Sequence, residues 1–432
     1  MGAARRLATW LSQEHWLIGA SLVRILLGCW AIYYYTLHYP VRHLLWGPTG
    51  LWPYERFMET PHMFFNIWQL SLSPIAFETL YVLGIFVAVA YTIGYWSRMM
   101  GVLHWVMIWS LQERNSFIGD GGDNIMRIVL LLLILVNTGA YLSLDALRQN
   151  RRERRPHPLK ETLRPALAVA HNFGVLLILA QLSMMYISTG LYKVMGELWQ
   201  NGTALYYILR VDEFSWPGVA EFLYRNPYLV VGGTYGTVFF ELLFAPSILL
   251  NRWTRYLMIP AGLFFHLGIA AFMGLVTFGW SMLSYYPLLV TDKEYQSVAA
   301  WLRERLKLTV FYDGWCQFCR RSIGWLGQFD LFSLVEFVSF RELGVVERYE
   351  LDAQKAERRM QSIGRNRKIS EGMDTMIQIA LRSPLLWLLM PLLLLSRLVA
   401  GQRAYDAIAS RRFVLIPGGC EGHCLLERRD PI

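Results

Sequence analysis

Up to about residue 291 the chain alternates apolar runs, each long enough to form a membrane helix, with polar or aromatic stretches. This pattern predicts eight spans, at about 16–37, 75–95, 99–111, 125–143, 166–190, 228–250, 256–274 and 275–291, the third of them short. Residues 1–15 form a short, mildly basic head, and residues 39–75, rich in Pro, Gly and aromatics, read as an extramembrane loop with an interfacial segment. After Val290 the pattern changes. Residues 292–307 predict an amphipathic linker helix, 308–312 (LTVFY) a buried strand, and the stretch to about Gln328 a helix. A second strand is predicted at 335–340 and a strand and turn at 359–368. The apolar stretch 384–400 is interrupted by Pro391 and reads as a helix lying on the membrane or on its own domain. The expected fold class is an α-helical polytopic membrane bundle of about eight spans, followed by a small α/β thioredoxin-like domain over 308–432.

Composition agrees: hydrophobic residues make up 55% of the 432 and charged residues only 17%, with a mean hydropathy of +0.31. That excludes an ordinary soluble protein of this size. The net charge of +9 needs no nucleic acid partner, because basic loops on the cytoplasmic side account for it. Residues 148–164 (RQNRRERRPHPLKETLR) carry seven Lys or Arg against two Glu, so this loop is expected inside. Counting spans from it places both termini and the C-terminal domain in the cytoplasm, with the membrane a bacterial inner membrane. No cleavable signal peptide is expected, since the first apolar run is long and lacks a small-residue cleavage site.

Ionisable groups inside apolar runs are the first candidates for chemistry. Arg24 lies within the first span and should find a partner in the bundle, with Glu241 a plausible one. His104 and His171 read as hydrogen-bonded core residues. The segment GDGGDN (119–124) predicts a tight turn capped by Asp123 or Asn124, with its acids (Asp120, Asp123) paired to Arg24 or Arg127; its spacing does not match an EF-hand. Lys193, in YISTGLYKVMGELWQNGT (186–203), stands where the chain leaves the membrane on the outer side. It is either a snorkelling anchor or, turned inward and desolvated, a base.

Of five cysteines, Cys29 sits in the first span and reads as a small core residue. Cys316 and Cys319 form Cys-x-x-Cys at a helix start, after a strand. The helix N-terminus favours a thiolate on Cys316, making it the attacking sulfur and Cys319 the resolving one. Cys420 and Cys424 flank His423 in CEGHC, and three readings stay open for them: a four-cysteine zinc site with Cys316 and Cys319, a second pair that exchanges with the first, or neither.

Several segments in order resemble the HTTM domain, the bacterial relatives of the vitamin K-dependent gamma-carboxylase: SLVRILLG (21–28), NSFIGDGGDN (115–124), YLSLDAL (141–147), the Lys193 segment, and FHLGIAAFMGLVTFGWSMLSYYPLL (265–289). The resemblance covers roughly 15–292. It implies that Lys193 is the base acting on a reduced vitamin K-type quinone, with His266 beside it. At the carboxylase's Asn-His-Ser segment the histidine position is held by Asn115, so the resemblance implies a quinol or redox-lipid site rather than glutamate carboxylation. The C-terminal part, about 305–428, is similar to the DCC family of thiol–disulfide oxidoreductases through Asp313-Gly314-Trp315-Cys316-Gln317-Phe318-Cys319 and YDAIASRR (405–412).

The expected function is therefore a membrane redox enzyme, with a quinol-type site near Lys193 and His266 and a dithiol at Cys316 and Cys319. Membrane lipids and a quinone or peptide substrate are the expected partners. The competing expectations are a binding partner for maturation of, or immunity to, a secreted peptide, and a zinc-stabilised tail on a lipid-binding bundle.

Overall fold

The computed structural model describes residues 2–60, 65–70, 73–151, 158–212, 215–216, 218–330, 332–399 and 401–410. The chain divides into two compact units, Met1–Lys293 and Glu294–Ile432. Cys420, His423, Cys424 and the Arg412 end of the YDAIASRR segment lie outside the described residues.

The first unit is helical. Its principal helices are α1 (Leu17–His38), α2 (Pro74–Ile93), α3 (Ser97–Arg114), α4 (Gly121–Leu133), α5 (Pro158–Met195), α6 (Pro227–Leu250), α7 (Arg252–Met273) and α8 (Val276–Leu283). Among the described residues, five helical stretches are long and apolar enough to cross a membrane: Leu17–Trp46, Pro74–Ile93, Thr162–Met195, Pro227–Leu250 and Arg252–Met273. Their outer faces carry large bare side chains, among them Ile75, Phe86, Leu249 and Phe264. Lipid tails suit such a surface and water does not. The inner faces meet in an aromatic core around Trp30, Tyr35, Tyr81, Tyr186 and Tyr285.

The expected fourth and eighth spans are shorter than the pattern suggested, with α4 stopping at Leu133 and α8 at Leu283. The reason at α4 is Arg24. Its guanidinium is fully buried and donates to the Thr138 and Leu142 carbonyls at 2.6 and 2.5 Å. A continuing helix would engage those carbonyls itself. The chain instead turns through 134–143, with Leu142 at φ +48°, and presents them to the cation. Arg24 therefore pairs with backbone oxygens and not with Glu241 or the GDGGDN acids.

That turn is corrected in detail as well. Asp120, rather than Asp123 or Asn124, caps α4, accepting from the Gly122 and Asp123 N–H groups at 2.7 and 3.1 Å. Asp123 returns the bond by accepting from the Asp120 N–H at 3.0 Å, and it also accepts from Gln112 at 2.9 Å. Arg127 pairs with Glu113 instead. Asn115 donates to the Leu45 carbonyl at 2.9 Å. His171 is hydrogen-bonded as expected, to the Asn137 N–H and the His15 carbonyl. His104 is buried but stacks on Tyr91 at 4.5 Å, and neither ring nitrogen has a partner among the described residues.

Helix α9 (Asp292–Leu306) lies where a helix was expected and runs across the division between the units, and the second unit holds a four-stranded sheet. Its strands are β1 (Leu308–Tyr312), β2 (Val335–Ser339), β3 (Gln361–Ile363) and β4 (Ile369–Glu371), in the order β2-β1-β3-β4. β1 pairs parallel with β2 and antiparallel with β3, and β3 pairs antiparallel with β4. As a central strand covered on both faces, β1 is apolar without alternation. Helix α10 (Gln317–Gly327) makes the crossover from β1 to β2. Helices α11 (Met373–Arg382) and α12 (Gly401–Ser410) follow the sheet, and the 384–400 stretch is a 3-10 turn, Pro384–Leu389, continued as a short helix, Met390–Val399.

Candidate active site

The dithiol sits where β1 ends and α10 begins. β1 delivers Asp313, which is 3% exposed, into the turn, and its carboxylate accepts from the Trp315 N–H at 3.1 Å. The turn passes so close to β2 that a Cβ on Gly314 would lie 2.4 Å from the Ser339 Oγ. Cys316 is the N-cap of α10, and its Sγ accepts from the Cys319 N–H at 3.5 Å. An N–H donor and a helix N-terminus are surroundings that favour a thiolate over a thiol.

The two sulfurs differ in access. Cys316 is 1% exposed, whereas Cys319 is partly open. Cys319 stands in the wall of a cavity of about 550 Å³ lined almost entirely by apolar groups, among them Phe318, Trp325, Met360, Met376 and Tyr405.

Arg341 is a residue the sequence reading missed. Its Nε donates to Asp313 at 3.3 Å, its Nη2 pairs with Glu357 at 3.0 Å, and its guanidinium lies over the Trp315 ring at 4.4 Å. Burial acts to lower its pKa, but the bonds to Asp313 and Glu357 outweigh it and the net shift is upward, so the cation is held charged. The signal available was register. Pairing of Tyr312 with Ser339 brings the residues just beyond β1 and β2 side by side, and Arg341 follows Ser339 by two.

In the helical unit Lys193 ends α5 and donates to both Glu241 oxygens, at 2.9 and 2.8 Å. It also lies 5.2 Å from the Trp199 ring centroid. Glu241 thus takes the lysine as partner, a pairing the sequence did not specify. Seven residues earlier on α5, the Tyr186 hydroxyl meets the His266 Nε2 at 2.6 Å and the Tyr286 hydroxyl at 2.9 Å. His266 is 1% exposed and its Nδ1 has no partner among the described residues. Among the described residues no hydrogen bond joins Lys193 to His266; α5 carries both Lys193 and Tyr186, the partner of His266. Tyr186 and Tyr286 carried no motif that singled them out. Among the described residues, no group of three or more His, Cys, Asp or Glu is placed to hold a metal ion.

Residues 310–416 match the family model of the DCC1-like thiol-disulfide oxidoreductases. The chain is 28% identical over 214 residues to the sporulation-delaying protein SdpB of Bacillus subtilis (strain 168), covering 49% of this chain and 63% of that protein. It is 29% identical over 201 residues to the uncharacterized protein YitO of the same organism, covering 44% and 60% respectively. The chain thus spans about three fifths of the length of these curated relatives. No solved structure matches. The chain carries a DCC1-like thiol–disulfide oxidoreductase domain at its C-terminal end, behind an N-terminal region that resembles SdpB.

Proposed function

We propose that this protein is an integral membrane thiol–disulfide oxidoreductase that exchanges disulfides with cysteines of a polypeptide client. The observation that carries the reading is the Cys316–Cys319 pair at the start of α10, with one sulfur opening into an apolar cavity. Tethering to membrane helices keeps this dithiol beside polypeptides that approach or cross the bilayer. A maturation role for such a client fits the resemblance to a protein named for delaying sporulation. The basic 148–164 segment favours a cytoplasmic loop there, and three candidate spans follow it, so the side of the dithiol domain turns on whether residues 275–291 cross as well. The test uses the full chain in lipid nanodiscs with a peptide carrying two cysteines. The wild type interconverts the peptide's dithiol and disulfide, and C316S and C319S fall to background with the helical circular-dichroism signal intact. Unchanged exchange in both variants overturns the reading, and reporter fusions after residue 292 test the sidedness.

A second reading concerns the helical unit: Lys193 and His266 hold the polar edge of a reduced quinone or similar redox lipid. It is favoured by the buried His266 Nδ1, which has no partner among the described residues, and by the Lys193–Glu241 pair near the membrane edge. Quinone co-purifying with the wild type and lost from H266A and K193M supports this reading. Equal retention in all three overturns it.

A further inference from the structure

Resting on the oxidoreductase reading, we infer that Cys319, not Cys316, is the sulfur that client thiols reach, and that the client presents its cysteine within an apolar segment. This reverses the order expected from the motif, in which Cys316 attacks and Cys319 resolves.

Access and leaving-group chemistry both point this way. Cys316 is 1% exposed at the turn from β1, while Cys319 faces the cavity of about 550 Å³. Exchange requires the incoming thiolate to approach along the line of the sulfur–sulfur bond, and a client entering the cavity meets Cys319. Cys316 is held as the N-cap with the Cys319 N–H on its Sγ, so it is the sulfur best prepared to carry negative charge. A stabilised thiolate leaves faster.

The steps balance. A client thiolate attacks the Cys319 Sγ of the oxidised pair and forms a client–Cys319 disulfide. The Cys316–Cys319 bond breaks, and its electron pair goes to Cys316. The client's second thiolate then attacks the client sulfur of the mixed disulfide, forming the client disulfide and returning the electron pair to Cys319. The client has lost two electrons and two protons, and both have passed to Cys316 and Cys319. Phe318, Trp325, Met360 and Met376 give the cavity a preference for apolar side chains flanking the client cysteine.

The test uses the reduced full chain in nanodiscs and two peptides of equal length, one with apolar and one with polar flanks. Each carries one cysteine activated as a mixed disulfide with 5-thio-2-nitrobenzoate, whose release is read by absorbance. Serine retains helix-capping ability, so C316S keeps the start of α10. The double variant C316S/C319S supplies the background from Cys29, Cys420 and Cys424. The expected result is that access outweighs thiolate fraction, so that C316S, through Cys319, reacts faster than C319S, and faster with the apolar peptide. W325E should erase that preference. Equal rates, or a faster C319S, overturn the inference while leaving a dithiol enzyme in place. A wild type whose Cys316–Cys319 pair shows no reversible redox titration overturns the oxidoreductase reading itself.

Discussion

The two units treat their polar groups in opposite ways. In the helical unit, buried charges and amides are absorbed by the architecture: Arg24 by carbonyls, Asn115 by the Leu45 carbonyl, Asp123 by Asp120 and Gln112. In the C-terminal unit the Cys319 sulfur opens into a cavity, and the charges around it, Asp313 and Arg341, brace the turn that holds its neighbour. Burial of an ionisable group is thus a poor guide to chemistry by itself. In a low-dielectric interior most such groups are retained because removing one strands its partners. Access to a space where a substrate fits separates the two cases.

The largest expected effect comes from Arg24→Met, which strands two buried carbonyls and the turn built around them. It should destabilise the helical unit by about 3–5 kcal/mol, read as a lowered unfolding temperature in detergent. A near-neutral result would break the contrast, because Arg24 would then be available for another role.

Lys193 and Glu241 sharpen the comparison, since this pair stands between the two cases. A double-mutant cycle with K193M and E241Q should give a coupling of about 1–3 kcal/mol in stability. If the double variant is stable and binds quinone as the wild type does, the pair is structural. If it is stable and empty, Lys193 belongs to a ligand site.

On the other side, Gly314→Ala forces a Cβ against Ser339. It should cost about 1–3 kcal/mol and slow dithiol exchange by displacing Cys316. R341M should cost about 1–2 kcal/mol and slow exchange through Asp313, with partial rescue by R341K.

The smallest effect concerns Asp406, whose carboxyl the Arg359 guanidinium holds below its ordinary value through bonds at 2.8 and 2.7 Å. A lowered carboxyl stabilises the fold fully above about pH 4 and loses that contribution as pH falls through the lowered pKa. The pair is partly exposed, so only about 0.5 kcal/mol is at stake. R359M should flatten acid-side stability by that amount in pH-dependent melts.

Membrane helices and the strand–dithiol–helix order were legible because each rests on local sequence: apolar length, β propensity and the spacing of the two cysteines. While the first and fifth run on to Trp46 and Met195, the candidate spans two, six and seven came out close to their expected bounds for that reason. The fourth did not, because hydropathy counts apolar residues and cannot register that 134–143 must surrender helical hydrogen bonds to a cation over a hundred residues away. The same blindness to distance assigned Glu241 to Arg24 and overlooked Tyr186, Tyr286 and Arg341.

By itself the sequence determined that the chain is a helical membrane protein with a dithiol domain, since periodicity, length and spacing are properties of a segment and its neighbours. Only the tertiary structure decided which acid meets which base, and which of the two sulfurs faces outward. Those outcomes depend on the packing of elements far apart in the chain, where a side chain's surroundings are supplied by residues that no local pattern names.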